Sequence, residues 1–543
     1  MAADYSIYYT MLLAIGDTFL RIWLLMILSI IVALFLGILA ARVKAAGAII
    51  IPITNILQAV PVISFFPIIL VFFIKRVGGP LGVNVASDFL IFTALIWNII
   101  LGVYEATIHI PEEYFQVSKV YDVGLFSRIR NLYLPASFSH IISNIMPSFA
   151  SGLFYITLSE VISIGTSNYT VFGVGSLAVS LAAQNQFSQI LILIGFLVVA
   201  IALNFYFIIN PLLNKTANYT FDLNVSDDQH AARKRERNVF VSAIGGRVTQ
   251  VLSSGVNAVY SVNTIFAGKN ATQKRTRKLH MSERALNIIV GSVLVLVFGL
   301  SAYLVAIAGF GIAFVIYLTN LSVLWQLLVA TAFDLLRIAI VFLVSFLIMV
   351  PLAIYFGSKG SSGRLGTGVF QVIYSIPAPI LFPLIVVYLT PKLSLFFGES
   401  LAYNFDVLLV TFLSAAAYIF FNVYGTATAI PRDLKLVTTT FNIKGFRKFR
   451  YLSFPAIIPG LITGSIAAFG SYWGGLMIGE YTKIGGKTYS VGNGLMMLIT
   501  KGIAQGNLLF VDAIDLFMVF LIVIITYLLW MRLYKYSEKK FSS

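Results

Sequence analysis

The chain has 543 residues, of which 59% are hydrophobic and only 11% charged, with a mean hydropathy of +0.93; soluble domains carry roughly 25% charge, so a soluble globular protein is excluded. The net charge of +16 does not mark a nucleic-acid binder, because the basic residues lie between apolar segments rather than on one folded polar face. With no cysteine and four scattered histidines, disulfides, thiol catalysis and Cys/His metal sites are excluded as well.

Crossing a hydrocarbon core of ~30 Å takes about 20 helical residues. Apolar segments of that kind run at 18–41, 47–74, 88–110, 136–160 and 188–212, a first transmembrane domain over 1–212. The start, Met1 to Gly16, lacks the basic and small-residue features of a cleaved signal and is expected to stay attached. From 213 to 285 the chain turns polar and basic, which reads as a linker; its uncharged stretch 248–268 reads as an interfacial amphipathic helix. A further span at 286–309, within a connection 286–324, precedes five more at 327–356, 367–390, 405–429, 456–480 and 510–533, the second domain over 325–543. The expected fold class is an all-α polytopic membrane protein, with two tandem five-helix units, one extra span and about eleven transmembrane helices.

The second unit repeats the first. Arg21, Pro61 and Pro67 meet Arg337, Pro377 and Pro383 at an offset of 316, while Tyr104, Pro111, Pro135 and Glu160 meet Tyr424, Pro431, Pro455 and Glu480 at 320. A five-helix unit that enters on one side ends on the other, so the span at 286–309 keeps the repeats parallel. If the linker, the loops after 41, 110, 212, 356 and 429, and the C-terminus are cytoplasmic, that side holds 29 of the 37 basic residues. A multi-pass protein of the cell membrane is expected in that orientation.

Between the third and fourth spans of each unit, on the basic side, lie IPEEYFQVSKVYDVGLFSRIRNLYLPA and IPRDLKLVTTTFNIKGFRKFRYLSFPA. Each reads as a short helix, a glycine break at Gly124 or Gly445, and a second basic helix ending at Pro135 or Pro455. These loops resemble the coupling loop of binding-protein-dependent ABC importer permeases. The residues that carry the match are Gly124, Leu134 and Pro135, then Gly445 and Pro455, with Phe454 where the family has leucine. After the fourth spans, Glu160 with Gly173, Gly175 and Leu177, and Glu480 with Gly492, Gly494 and Leu495, are similar to the acid followed by Gly-Leu-Gly-Tyr-Leu in nitrate, sulfonate and taurine permeases. QAVPVISFFPIILVFF and YSIPAPILFPLIVVYL resemble that branch's second core helix.

The resemblance implies a MetI-like fold in each unit. It also implies a pathway-forming transport subunit, not an enzyme, for a small solute such as an oxyanion or sulfonate. The implied partners are two ATP-binding-cassette ATPase subunits, an extracellular solute-binding protein and the lipid membrane. The chain has no phosphate-loop motif, so ATP hydrolysis is expected in a separate ATPase chain; no cofactor, catalytic group or metal site is expected. Prolines 61, 67, 377, 379 and 383 remove helix hydrogen bonds, which suits helices lining a pathway. Glu160 and Glu480 either position an outer gate or are merely solvated; Arg21 and Arg337 are expected to snorkel. The rival class, an ion-coupled secondary transporter, typically has inverted repeats and acidic midplane ligands. Here the repeats are parallel and the span interiors nearly free of Asp and Glu.

Overall fold

The computed structural model describes residues 2–59, 66–121, 123–164, 167–216, 292, 311–430, 432–484 and 486–541, all within one compact unit formed by Met1–Ala217 and Asn287–Ser543. Pro61, Pro431, nearly all of the linker and all of the extra span but residue 292 lie outside these residues. In the first repeat, α1 (Ala2–Arg42), α2 (Lys44–Ala59), α3 (Phe66–Val77) and α4 (Gly79–Ile108) lead to α5 (Glu112–Val120) and α6 (Leu125–Arg128). A π turn (Ile129–Tyr133) follows, then α7 (Leu134–Ser159), the hairpin β1 (Val161–Ile164) and β2 (Ser167–Thr170), α8 (Val174–Ala183), α9 (Phe187–Asn204) and α10 (Asn210–Thr216).

The second repeat has the same order: α11 (Leu321–Ser358), α12 (Gly360–Tyr374), α13 (Ala378–Tyr388), α14 (Thr390–Phe397), α15 (Glu399–Thr428), α16 (Arg432–Thr440) and α17 (Gly445–Lys448). Its π turn (Phe449–Ser453) precedes α18 (Phe454–Gly479), β3 (Tyr481–Ile484), β4 (Lys487–Ser490), α19 (Leu495–Ala504), α20 (Leu508–Ile525) and α21 (Met531–Phe541). Among the described residues eight helices are long and apolar enough to span a membrane, or nine if the pair α12–α13, bent by 75°, counts as one span.

The long helices are apolar outward and small or polar inward. On α1, Leu20, Leu24, Ile27, Ile31 and Phe35 are exposed, while Thr18, Ile22, Met26, Ser29 and Ala33 are buried. This inverts the amphipathy of a soluble helix, as expected where lipid is the solvent and small residues let helices approach. The approach is closest between α15 and α18, where a Cβ on Gly464 would stand 2.8 Å from the Tyr418 carbonyl and one on Gly475 would stand 2.6 Å from Thr411 Cα.

The repeats exchange contacts through the second core helix of the second repeat and the fourth span of the first. Ile380 and Leu384 of α13 join the core of the first repeat, and Phe154 of α7 joins the core of the second. Phe154 sits on Gly474, where a Cβ would meet the ring at 3.2 Å. Gly474 is itself the residue 320 places after Phe154.

Candidate functional site

The two basic loops differ from the sequence expectation in one respect. The second helix of each does not end at Pro135 or Pro455; it continues into the membrane helix through the π turn, so one rod runs from residue 126 to 159 and another from 445 to 479. A proline inside a helix lacks the N–H and its ring presses on the carbonyl four residues back, and the wider π turn ahead of it relieves that pressure. The short helix before the break is closed by a Schellman motif: in the second loop Asn442 takes φ 53° and Ile443 N–H donates to Thr438 O at 2.8 Å. Val123 N–H donates to Ser118 O at 2.9 Å in the first.

Beneath the first loop, Ile110, Phe115, Leu132, Tyr133 and Ala136 form a small core, with the Arg42 guanidinium 3.6 Å from the Phe115 ring centroid. The outer surface is apolar and open, with Phe126 79% and Phe446 73% exposed. Leu134 is exposed and Phe454 half-buried against Phe449. Gly445 takes φ +56°, whereas a Cβ on Gly124 would meet open space.

Glu160 and Glu480, at the opposite ends of α7 and α18, are fully buried and not solvated. Each braces the N-terminus of the helix after its hairpin. Gly175 and Ser176 N–H groups donate to Glu160 Oε2 at 2.5 and 3.2 Å, and Met497 N–H donates to Glu480 Oε2 at 2.9 Å. A carboxylate there satisfies orphan N–H groups and complements the helix dipole. The glycine at each cap is required by this closeness, because a Cβ at Gly173 or Gly494 would overlap the carboxylate. The geometric match is therefore Gly173 with Gly494, not with Gly492, which has open space around it.

Neither arginine snorkels. Arg337 Nη1 donates to Glu480 Oε1 at 2.8 Å and to Asp334 Oδ1 at 3.2 Å, while Asp334 Oδ2 accepts from Leu495 N–H at 2.8 Å. Arg21 turns instead to Asp88, at 2.6 Å from Nη2. Thr18, which holds the position of Asp334, donates to Glu160 Oε1 at 3.2 Å and accepts from Val174 N–H at 3.1 Å. The expected spans are not nearly free of acid, since five aspartates lie within them: Asp334, Asp406, Asp512 and Asp515 are buried, and Asp88 is paired. The signal was present at Asp334, three residues before Arg337 in an apolar run. Farther along, outside the spans, the hydrogen bond from Lys487 to Glu399 (2.5 Å) raises the lysine's pKa.

Between the repeats, midway along the spans, lie two adjoining cavities that share Ser151, Tyr155, Tyr418 and Ser471 as walls. Pro377, at the N-cap of α13, lines the larger; Pro383 lies inside α13 and Pro67 is the second residue of α3. The Tyr418 and Ser151 hydroxyls are hydrogen-bonded across the interface, and Gln58 Nε2 donates to Asn98 Oδ1 at 2.6 Å. Ser151 and Ser471 are 320 residues apart, a signal the proline pattern overshadowed.

Residues 33–216 and 349–543 match the family model described as "Binding-protein-dependent transport system inner membrane component". Two curated proteins, each described as "Bicarbonate transport system permease protein CmpB", from Synechococcus elongatus and from a Synechococcus sp., are 22% identical over 165 residues, 30% of this chain and 55% of theirs. The match thus spans about half the length of those relatives.

Proposed function

Because the chain belongs to the family of binding-protein-dependent transport system inner membrane components, we propose that it supplies both membrane halves of an ATP-driven importer. A small oxyanion or sulfonate, delivered by an extracellular binding protein, passes between the two repeats. Two ABC ATPase subunits dock on the loops at 111–135 and 431–455, which with the linker and C-terminus face the cytoplasm. The relationship to proteins named as bicarbonate permeases supports a small oxyanion.

The observation that carries the reading is the pair of rods. Each joins an exposed aromatic tip to a helix at the repeat interface without a break, and the two lie 320 residues apart. A push at either tip is therefore delivered to the cavity walls at Ser151 and Ser471, and ATP-driven closure of a motor dimer moves both rods together. Glu160 and Glu480 hold the opposite rod ends to the helices that follow their hairpins, where we place the outer gate.

Phe126→Asp and Phe446→Asp test this directly, because both rings are exposed and the changes leave the core intact. The expected result is normal insertion, loss of ATPase co-purification and loss of solute uptake. Unchanged ATPase recovery and uptake in both variants would refute the docking assignment.

A further inference from the structure

The last span, α20, runs through a π turn (Thr526–Trp530) into α21, and the combined helix changes character at residue 532. From Leu516 to Met531 sixteen residues carry no charge, about 24 Å of helix at 1.5 Å per residue. Arg532, Lys535, Lys539 and Lys540 then follow within nine residues. A hydrocarbon core is about 30 Å thick and each headgroup layer adds roughly 5–7 Å, so the first of these charges enter the headgroup layer. Tyr527, Trp530, Tyr534 and Tyr536 bracket the change, as aromatics do at a membrane interface. The four basic positions follow the spacing i, i+3, i+7, i+8, which places them on one face of α21; Glu538, its one acid, is out of that register. Arg532, Lys535 and Lys540 are exposed, and Lys540 Nζ donates to the Tyr536 hydroxyl at 3.0 Å.

The bias of Lys and Arg to one side of a membrane depends on their number and is blind to their register. A basic stripe at headgroup depth, edged by aromatics, is the arrangement that attracts anionic lipid. We infer that α21 is a binding site for anionic phospholipid, with Arg532 and Lys535 pairing to the headgroup phosphate and the outer end of the stripe adding charge. A zwitterionic headgroup brings its own cation to the stripe, and an anionic one does not. The ion pairs among the described residues lie elsewhere, at Arg21, Arg337 and Lys487, so the stripe is not neutralised by them. The site belongs to one repeat. In the first, α10 follows the π turn Phe205–Ile209 as α21 follows Thr526–Trp530, and it has a single basic residue, Lys215. Because α21 packs on α18, with the Trp530 ring 5.7 Å from that of Phe469, lipid held there borders the second rod alone. The inference needs only that the chain spans a membrane and does not use the importer reading.

The chain has no cysteine, so Leu533→Cys, at an exposed position beside Arg532, takes a bimane label at one place. The labelled full chain is reconstituted in phosphatidylcholine vesicles, and quenching by brominated phosphatidylglycerol is compared with quenching by brominated phosphatidylcholine. Each Lys or Arg at an anionic leaflet is worth about fivefold in binding before screening by salt, so the anionic lipid should be preferred about tenfold at low salt and less at high salt. Changing Arg532, Lys535, Lys539 and Lys540 together to Gln should abolish the preference. Removing the same charge from the linker, by changing Lys274, Arg275, Arg277 and Lys278 to Gln, should leave it intact. Arg532→Gln and Lys535→Gln alone should each lower it about threefold, which keeps the site testable if the fourfold change disturbs insertion. Inorganic phosphate at 10 mM should not displace the lipid; displacement would mark a site for soluble phosphate and overturn the assignment. Equal quenching by the two lipids, a preference that survives loss of the stripe, or one that falls as far in the linker variant also overturns it.

Discussion

At the scale of single residues, the repeat offset of 316 pairs Arg21 with Arg337 yet says nothing of their surroundings, because position 18 is Thr where 334 is Asp. That one difference decides where the acid partner lies. In the second repeat the Arg337–Glu480 pair is 9% and 0% exposed, and in the first Arg21–Asp88 is 14% and 40%. Removing one partner of a buried pair strands a charge, at about 3–5 kcal/mol, while a partly exposed pair is worth about 1 kcal/mol or less. Arg337→Met is therefore expected to lower the unfolding midpoint in mixed micelles steeply, and Arg21→Met to change it little. Equal effects would show that the two arginines are equivalent after all. The burial of Glu160 and Glu480 was not legible in the sequence, because a glutamate at a span end reads the same whether it meets water or a helix N-terminus.

Among the elements, the loops were legible as helix, glycine break and helix, and the continuity of the rods was not. Proline ordinarily signals a helix boundary, but here the helix passes it behind a π segment, whose extra residue per turn makes room for the ring. A π turn ends two residues before Pro135 and two before Pro455. Pro455→Ala removes the demand for the π turn, and reversion to α winding swings the loop by about 100° around the rod axis. The protein should keep its stability and lose ATP-coupled uptake, measured against ATPase activity of the same preparation; preserved uptake would show that the winding is incidental. The break glycines are unequal. Gly445→Val forces a β-branched residue into φ +56°, at a cost of about 1–2 kcal/mol or more, whereas Gly124→Val meets open space and should cost almost no stability. Thermal unfolding of the two variants separates these expectations.

Across the whole molecule, hydrophobic segments and register made the two repeated units readable, but periodicity gives a helix its faces and not its partners. The packing of α13 on the first repeat and of α7 on the second, and the hydroxyl contact between Ser151 and Tyr418, depend on which faces meet, information spread over hundreds of residues. The contact of Phe154 with Gly474 is the sharpest case, since these residues hold the same place in the two repeats. Gly474→Phe should keep two co-expressed halves, separated within the linker, from co-purifying, and Phe154→Gly added to it should restore them; association unaffected by Gly474→Phe would refute the fit. A knob facing its own counterpart has a further consequence. Two first halves would bring two rings to one point, and two second halves would leave a void there, so each like pair is disfavoured against the unlike couple. With an aromatic on one side and a glycine on the other, the contact selects the unlike couple.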